Sequence, residues 1–276
     1  RHLQILASCS GGKISLLQPK TDNRILQQRP EFTDILHRYW GADKSFRNIP
    51  VYDMASVEEG GKDIEMISQE RVITDLVQQV ENCGENRDFR DVFVTASTGS
   101  GKSAMFQIPA IYLAEKYNLM TIVVSPLISL MNDQISGLEA RGYTKAKTLN
   151  SDISPVVKEE IRRKVAGGEY HILYLSPETL LARSDVEQLI GDRTIGMIVI
   201  DEAHIVTTWG KQFRPDYWYL GDHIKKLRKR QKKESVYNKL KKEKNYGKKI
   251  KRFHTGGIGN HNRHCDNSVG NFSTYL

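Results

Sequence analysis

The sequence predicts an α/β fold, a parallel β-sheet covered by helices on both faces. Three observations predict it. Short stretches that are apolar at nearly every position, residues 121–125 (TIVVS), 171–176 (HILYLS) and 195–200 (IGMIVI), alternate with helix-length segments. Strands buried on both faces belong to parallel sheets with helices on each side. A glycine-rich turn at residues 96–103 follows a short apolar strand, and Asp201-Glu202-Ala203-His204 follows another. Ligands on such sheets gather at the carboxyl ends of the strands, which is where both stretches fall.

The elements can be justified in order. Residues 1–62 form an irregular lead-in interrupted by Pro19, Pro30 and Pro50 and closed by Gly60-Gly61. Within it, Phe32, Ile35, Leu36 and Tyr39 have helical spacing over residues 32–40. From Asp63, the spacing of Ile64, Ile67, Val72, Ile73, Leu76, Val77 and Val80 predicts one amphipathic helix ending near Gly84. After a strand at Val92, helix 104–117, strand 121–125, helix 127–141 and strand 145–150 follow. Helix 155–165 comes next, capped by Ser154, then strand 171–176, helix 178–182 and strand 195–200. From residue 222 the pattern gives way to a basic, low-order tail. The expected division is lead-in 1–62, nucleotide-binding domain 63–221 and tail 222–276.

The chemistry sits in three stretches. In residues 92–103 (VFVTASTGSGKS) the backbone of Thr98, Gly99, Ser100 and Gly101 turns its amides inward around a phosphate. Lys102 supplies a cation for the outer phosphates, and the Ser103 hydroxyl is offered to Mg²⁺. ATP with Mg²⁺ is the expected ligand; the alternative is a plain Gly/Ser loop with a chance lysine. Asp201 is placed to hold Mg²⁺ through water, so Ser103 and Asp201 are the metal candidates. Glu202 is placed to activate the water that attacks the terminal phosphate. Lys102, Asp201, Glu202 and His204 form the catalytic set.

The third stretch, residues 204–221 (HIVTTWGKQFRPDYWYLG), crowds Trp209, Phe213, Tyr217, Trp218 and Tyr219 around Lys211 and Arg214. Stacking on aromatic faces is worth about 1–3 kcal/mol per base, and interleaved cations hold phosphates, so this composition suits single-stranded nucleic acid. Core packing is the alternative, above all for Tyr217 and Trp218. His254, His261, His264 and Cys265 lack the spacing of a zinc site and read as tail.

Composition bounds the rest. With 276 residues, 39% of them apolar, the chain can bury a core as one large domain or two ordinary ones. Its three cysteines are far apart, which leaves no disulfide framework. No run of 18 apolar residues and no signal-peptide pattern is present, so no membrane partner is expected and a cytoplasmic location is the default. The net charge of +8 is uneven. Residues 222–253 hold fifteen Lys/Arg against three acids, a local +12, and the last 23 residues balance; the first 221 therefore carry −4. A polyanion such as nucleic acid is the obvious partner of the tail.

These residues resemble a known family. The loop, with Ala96 in place of the usual first glycine, is similar to the AxTGxGK[ST] loop of superfamily-two helicases. Residues 123–134 (VVSPLISLMNDQ), 106–111 (FQIPAI) and 174–180 (YLSPETL) resemble the RecQ family. Trp209, Gly210, Phe213, Arg214, Pro215, Asp216 and Tyr217 match that family's aromatic loop one by one. The resemblance covers residues 92–221. It implies a RecA-like phosphate-loop domain with a DEAH-type box, the first motor domain of an ATP-dependent DNA helicase acting on single-stranded and duplex DNA. It implies DNA contacts at Ser125, Pro126, Trp209, Phe213 and Arg214, 3′ to 5′ translocation, and an adenine contact at Gln69. The family places an aromatic and an arginine just before that glutamine, whereas Glu65 to Ser68 stand there.

The family also continues with a further strand and a second motor domain that carries arginine fingers. Neither is found after residue 221, and the lysine repeats are what a shifted reading of A-rich DNA produces, so a truncated or frameshifted gene is expected. Two alternatives stay open: a fragment that binds nucleotide and nucleic acid without turnover, and a different superfamily-two translocase subunit of a DNA-defence or restriction system.

Overall fold

The computed structural model describes residues 29–53, 56, 57, 59–85, 87–94, 96, 99–150, 152–181, 189–191, 193–203 and 219–224, and the backbone of 274 and 275. Its elements run α1 (Pro30–Trp40), β1 (Asn48–Tyr52), β2 (Ile64–Ser68), α2 (Gln69–Gly84), β3 (Val92–Phe93), α3 (Lys102–Tyr117) and β4 (Met120–Val124). They continue α4 (Ile128–Ala140), β5 (Ala146–Leu149), α5 (Pro155–Ala166), β6 (Ile172–Leu175), α6 (Pro177–Leu181), β7 (Ile195–Ile200) and β8 (Thr274–Tyr275). Six strands form one all-parallel sheet in the order β3-β8-β7-β4-β6-β5. The expected α/β architecture is the one found.

Side-chain alternation along the strands builds two cores. Met120, Ile122 and Val124 of β4 point to one face with Ile161, Val165, Leu180, Leu220 and Ile224. Val123 points to the other, with Phe32, Leu76, Phe106, Ile111 and Met131 from α1 to α4. Every residue of β4, β6 and β7 is buried, which explains their continuous apolar sequence. Ser154 caps α5 through Val157 as the sequence implies.

Two expectations are corrected. The helix expected from Asp63 begins only at Gln69. Residues Ile64–Ser68 are instead extended and pair antiparallel with Asn48–Tyr52, in a hairpin whose register sets Asn48 opposite Ser68 and Tyr52 opposite Ile64. The spacing of Ile64 and Ile67 fits a helix locally, but the pairing partner sixteen positions upstream outweighs it. The described part of the irregular lead-in is therefore ordered. The boundary expected at 62/63 falls inside this hairpin, and α1 shares a core with α2 and α3. At the other end, where no strand was expected, Thr274–Tyr275 stands between β3 and β7.

Candidate nucleotide site

The site is assembled at the carboxyl ends of β3, β4 and β7. Gly99 and Gly101 both have left-handed backbones, φ +80° and +78°. The left-handed backbone requires glycine at Gly101, where a Cβ would also lie 2.6 Å from Gln69 Nε2 and displace that side chain. Gly101 then caps α3, whose first residue is Lys102; the helix N-terminus adds positive potential where its amides lack intrahelical partners. The Lys102 ammonium donates to the carbonyl of Ala96 at 3.2 Å, folding back over its own loop.

The acidic box follows directly from β7. The Asp201 amide donates to Val124 O at 2.9 Å, which continues the β4–β7 ladder by one step and fixes the side chain at the carboxyl end of the sheet. Its Oδ1 accepts from the Glu202 amide at 2.9 Å and its Oδ2 from Gln134 Nε2 at 3.1 Å. Burial raises the Asp201 pKa above the ordinary carboxylate value and the neighbouring Glu202 charge adds to this. The two hydrogen bonds and the Lys102 charge pull the other way. Glu202 has φ +53°, an uncommon conformation for a non-glycine residue and a local source of strain.

Whether phosphate and Mg²⁺ fit can be judged from polar atoms left without partners. Ser100 Oγ on the loop and Gln134 Oε1 beside Asp201 are buried and accept or donate no hydrogen bond. Such orphans are costly unless a ligand or water completes them. A lysine, two left-handed glycines, the Ser103 hydroxyl and one buried carboxylate match what phosphate-bound Mg²⁺ uses, one or two carboxylates with phosphate and water. The residues fit.

A cavity of about 440 Å³ opens beside the loop, with Trp40, Arg47, Gln69, Ser103, Gln134 and Arg141 in its wall. Gln69 is buried and both ends of its amide are engaged: Oε1 accepts from the Arg47 amide at 3.0 Å and Nε2 donates to Ser100 O at 2.7 Å. The Gln69 amide donates to Arg47 O at 2.9 Å, and Arg47 Nη2 reaches Gly99 O at 3.5 Å. Arg47, preceded in the chain by Phe46, thus stands beside the glutamine, whereas Glu65 to Ser68 precede it in sequence; residues 48–68 separate Arg47 from Gln69 in sequence but not in space. Two alternating segments, NIPVY and IEMIS, around Gly60-Gly61 are the signal that could have shown it.

The structure brings together Gln69, Gly99, Ser100, Gly101, Lys102, Ser103, Asp201 and Glu202. Ser125 and Pro126, expected to face DNA, are buried, and Ser125 Oγ has no hydrogen-bond partner. Thr98, His204, Trp209, Phe213 and Arg214 lie outside the described residues, as do His254, His261, His264 and Cys265.

Residues 68–239, more than half of the chain, match the DEAD/DEAH box helicase family. The chain belongs to that family. Within it the similarity is to RecQ helicases. The chain is 41% identical over 132 residues to the ATP-dependent DNA helicase RecQ of Haemophilus influenzae, covering 48% of this chain and 20% of that protein. It is 41% identical over 138 residues to the probable ATP-dependent DNA helicase RecS of Bacillus subtilis, covering 50% and 26%. With the ATP-dependent helicase SGS1 of Saccharomyces cerevisiae it shares 37% identity over 143 residues, covering 50% and 10%. The chain therefore spans at most about a quarter of these relatives. No helix among the described residues is long and apolar enough to cross a membrane.

Proposed function

We propose that this chain is the ATP-binding motor domain of a RecQ-like DNA helicase, which binds ATP with Mg²⁺ and couples its hydrolysis to single-stranded DNA. One observation carries the reading: the phosphate loop and the acidic box, about 100 residues apart in sequence, meet at the carboxyl end of the sheet, where Gly101 and Ser103 line one cavity with Gln134, which donates to Asp201 Oδ2 at 3.1 Å.

Mg²⁺, when bound, neutralises phosphate charge. Lys102 leaves Ala96 O to meet the outer phosphates, and the loop amides and Ser100 hydroxyl hold the rest. Ser103 and Asp201 hold the metal, with Gln134 fixing the carboxylate. Glu202 accepts the proton of the attacking water. Gln69 positions the loop through Ser100, its amide already spanning Arg47 and the loop. Trp209, Phe213 and Arg214 are the proposed strand contacts that report DNA to the ATP site, and His204 completes the catalytic set with Lys102, Asp201 and Glu202.

The test is nucleotide binding and turnover. Mg²⁺-ATP should raise the melting temperature of the wild type and not that of Lys102→Ala; equal stabilisation would refute the assignment. In the chain joined to a second motor domain, Glu202→Gln should bind ATP and lose hydrolysis. In the same protein, alanine at Trp209 and Phe213 should spare basal hydrolysis and remove its stimulation by single-stranded DNA.

A further inference from the structure

The β1–β2 hairpin is not used by the site it interrupts. Its inner positions are anchored: Ile49 is buried, and Val51 and Ile67 pack on the α1–α3 core. The outer positions are not. The cross-strand pairs Tyr52–Ile64 and Pro50–Met66 share the opposite face, where Tyr52, Ile64 and Met66 are 54%, 65% and 58% exposed. These exposed apolar side chains are adjacent on one sheet face rather than scattered, the arrangement an interaction surface has. The family match starts at Ser68, so β1 and all of β2 but Ser68 lie outside the matched residues.

Charge decides what this face takes. Residues 48–68 hold five acids and one lysine, a sum of −4, which equals the net charge of the first 221 residues. The hairpin segment thus carries a charge as large as the net charge of that whole stretch. Nucleic acid is repelled by it, and so is a second copy of the same face. An apolar patch on a segment with a net charge of −4 is complementary to a polypeptide segment that presents apolar side chains between lysines and arginines.

We propose that the outer face of strands β1 and β2 docks a basic, apolar-anchored polypeptide, and that docking is felt at the nucleotide site. The hairpin ends are the two residues that hold the phosphate loop. Asn48 and Ser68 face each other, and immediately beyond them Arg47 and Gln69 are joined by backbone and side-chain hydrogen bonds and reach Gly99 and Ser100. A partner that stiffens the strand pair therefore stiffens the loop clamp. This second clause rests on the proposed ATP site; the docking clause does not.

The probe is a 14-residue peptide of alternating leucine and lysine, with leucine–glutamate and glycine–lysine peptides of equal length as controls. Fluorescence anisotropy with the full chain should show saturable binding of the leucine–lysine peptide alone. Binding should weaken at least tenfold in Tyr52→Ser/Ile64→Ser/Met66→Ser and in Glu59→Gln/Glu65→Gln, both of which leave the core residues in place. Saturating peptide should shift the affinity for a fluorescent ADP at least threefold, and this shift should vanish in the serine variant. Equal binding by the serine variant, or by either control peptide, would overturn the docking surface. Unaltered ADP affinity with the peptide bound would overturn the coupling. Lys102→Ala separates the two readings, because it should lose ADP and keep the peptide.

Discussion

Gln69 and Arg47 stand 22 positions apart in sequence, yet the side-chain oxygen of one accepts from the backbone amide of the other at 3.0 Å. The return bond from the Gln69 amide to Arg47 O closes the base of a complete hairpin. With its remaining end on Ser100 O, Gln69 works as a strut between the α1 side of the domain and the phosphate loop.

A strut and a base reader fail differently. Gln69→Ala should weaken ADP and GDP alike, by about tenfold for the loss of two hydrogen bonds of about 1 kcal/mol each offset by relaxation. Fluorescent-nucleotide titration checks this; a loss confined to ADP would assign the side chain to the adenine edge instead.

Asp201 carries a carboxyl that burial pushes upward, so ionising it costs the folded state. In EDTA and without nucleotide, Asp201→Asn should raise the melting temperature at neutral pH above that of the wild type. The sign follows from the direction of the shift. The folded chain holds this proton to higher pH than the unfolded one, so the wild type loses stability as pH rises through the raised value and Asp201→Asn does not. Thermal melts across pH 4–7 read the difference.

His171 behaves in the opposite sense. Burial first, then the Lys145 and Arg193 charges, lower its pKa to about 4, and Tyr143 Oη lies 3.2 Å from its Nδ1. The unfolded chain takes up this proton near pH 6.5 and the folded one only near 4. Stability should therefore fall by about 1.4 kcal/mol per pH unit as pH drops through that window. His171→Gln should flatten this part of the urea-midpoint profile.

Glu81 is paired to Arg29 through two bonds of 2.7 Å and accepts a third, also 2.7 Å, from Tyr117 Oη. Burial works to raise its pKa, but the Arg29 bonds outweigh it and hold the carboxyl below the ordinary value. Glu81→Ala leaves a guanidinium whose side chain is 14% exposed without its counter-charge, and should cost about 3 kcal/mol in urea denaturation. Wild-type stability from this pair is lost as pH falls through the lowered value.

The parts legible in the sequence are those whose cause is local. β4, β6 and β7 are continuous apolar runs because both faces are covered. The turn at Gly99 and Gly101 needs left-handed backbone, which narrows the residue choice to glycine, and the α5 cap is one serine before a proline. What could not be read has distant causes. Ile64–Ser68 is a strand because Asn48–Tyr52 lies beside it. Glu81 reads as the polar side of an amphipathic helix until Arg29, 52 positions upstream, closes over it. The Arg47 contribution to the site was hidden by the residues inserted after it.

The short strand Thr274–Tyr275 has a mechanical consequence. β3 meets the rest of the sheet through this two-residue bridge, whereas β4 is laced directly to β6 and β7 over most of its length. Acidic box and phosphate loop are therefore mounted on parts of unequal compliance: Asp201 on the stiff centre of the plate, and the loop on a strand tied laterally by two residues. A pull on the loop is carried chiefly down α3 and across to α2 and α1. Among the described residues, the load path between the two halves of the site runs through α3, which packs on β4 and β7, rather than laterally from strand to strand through β3.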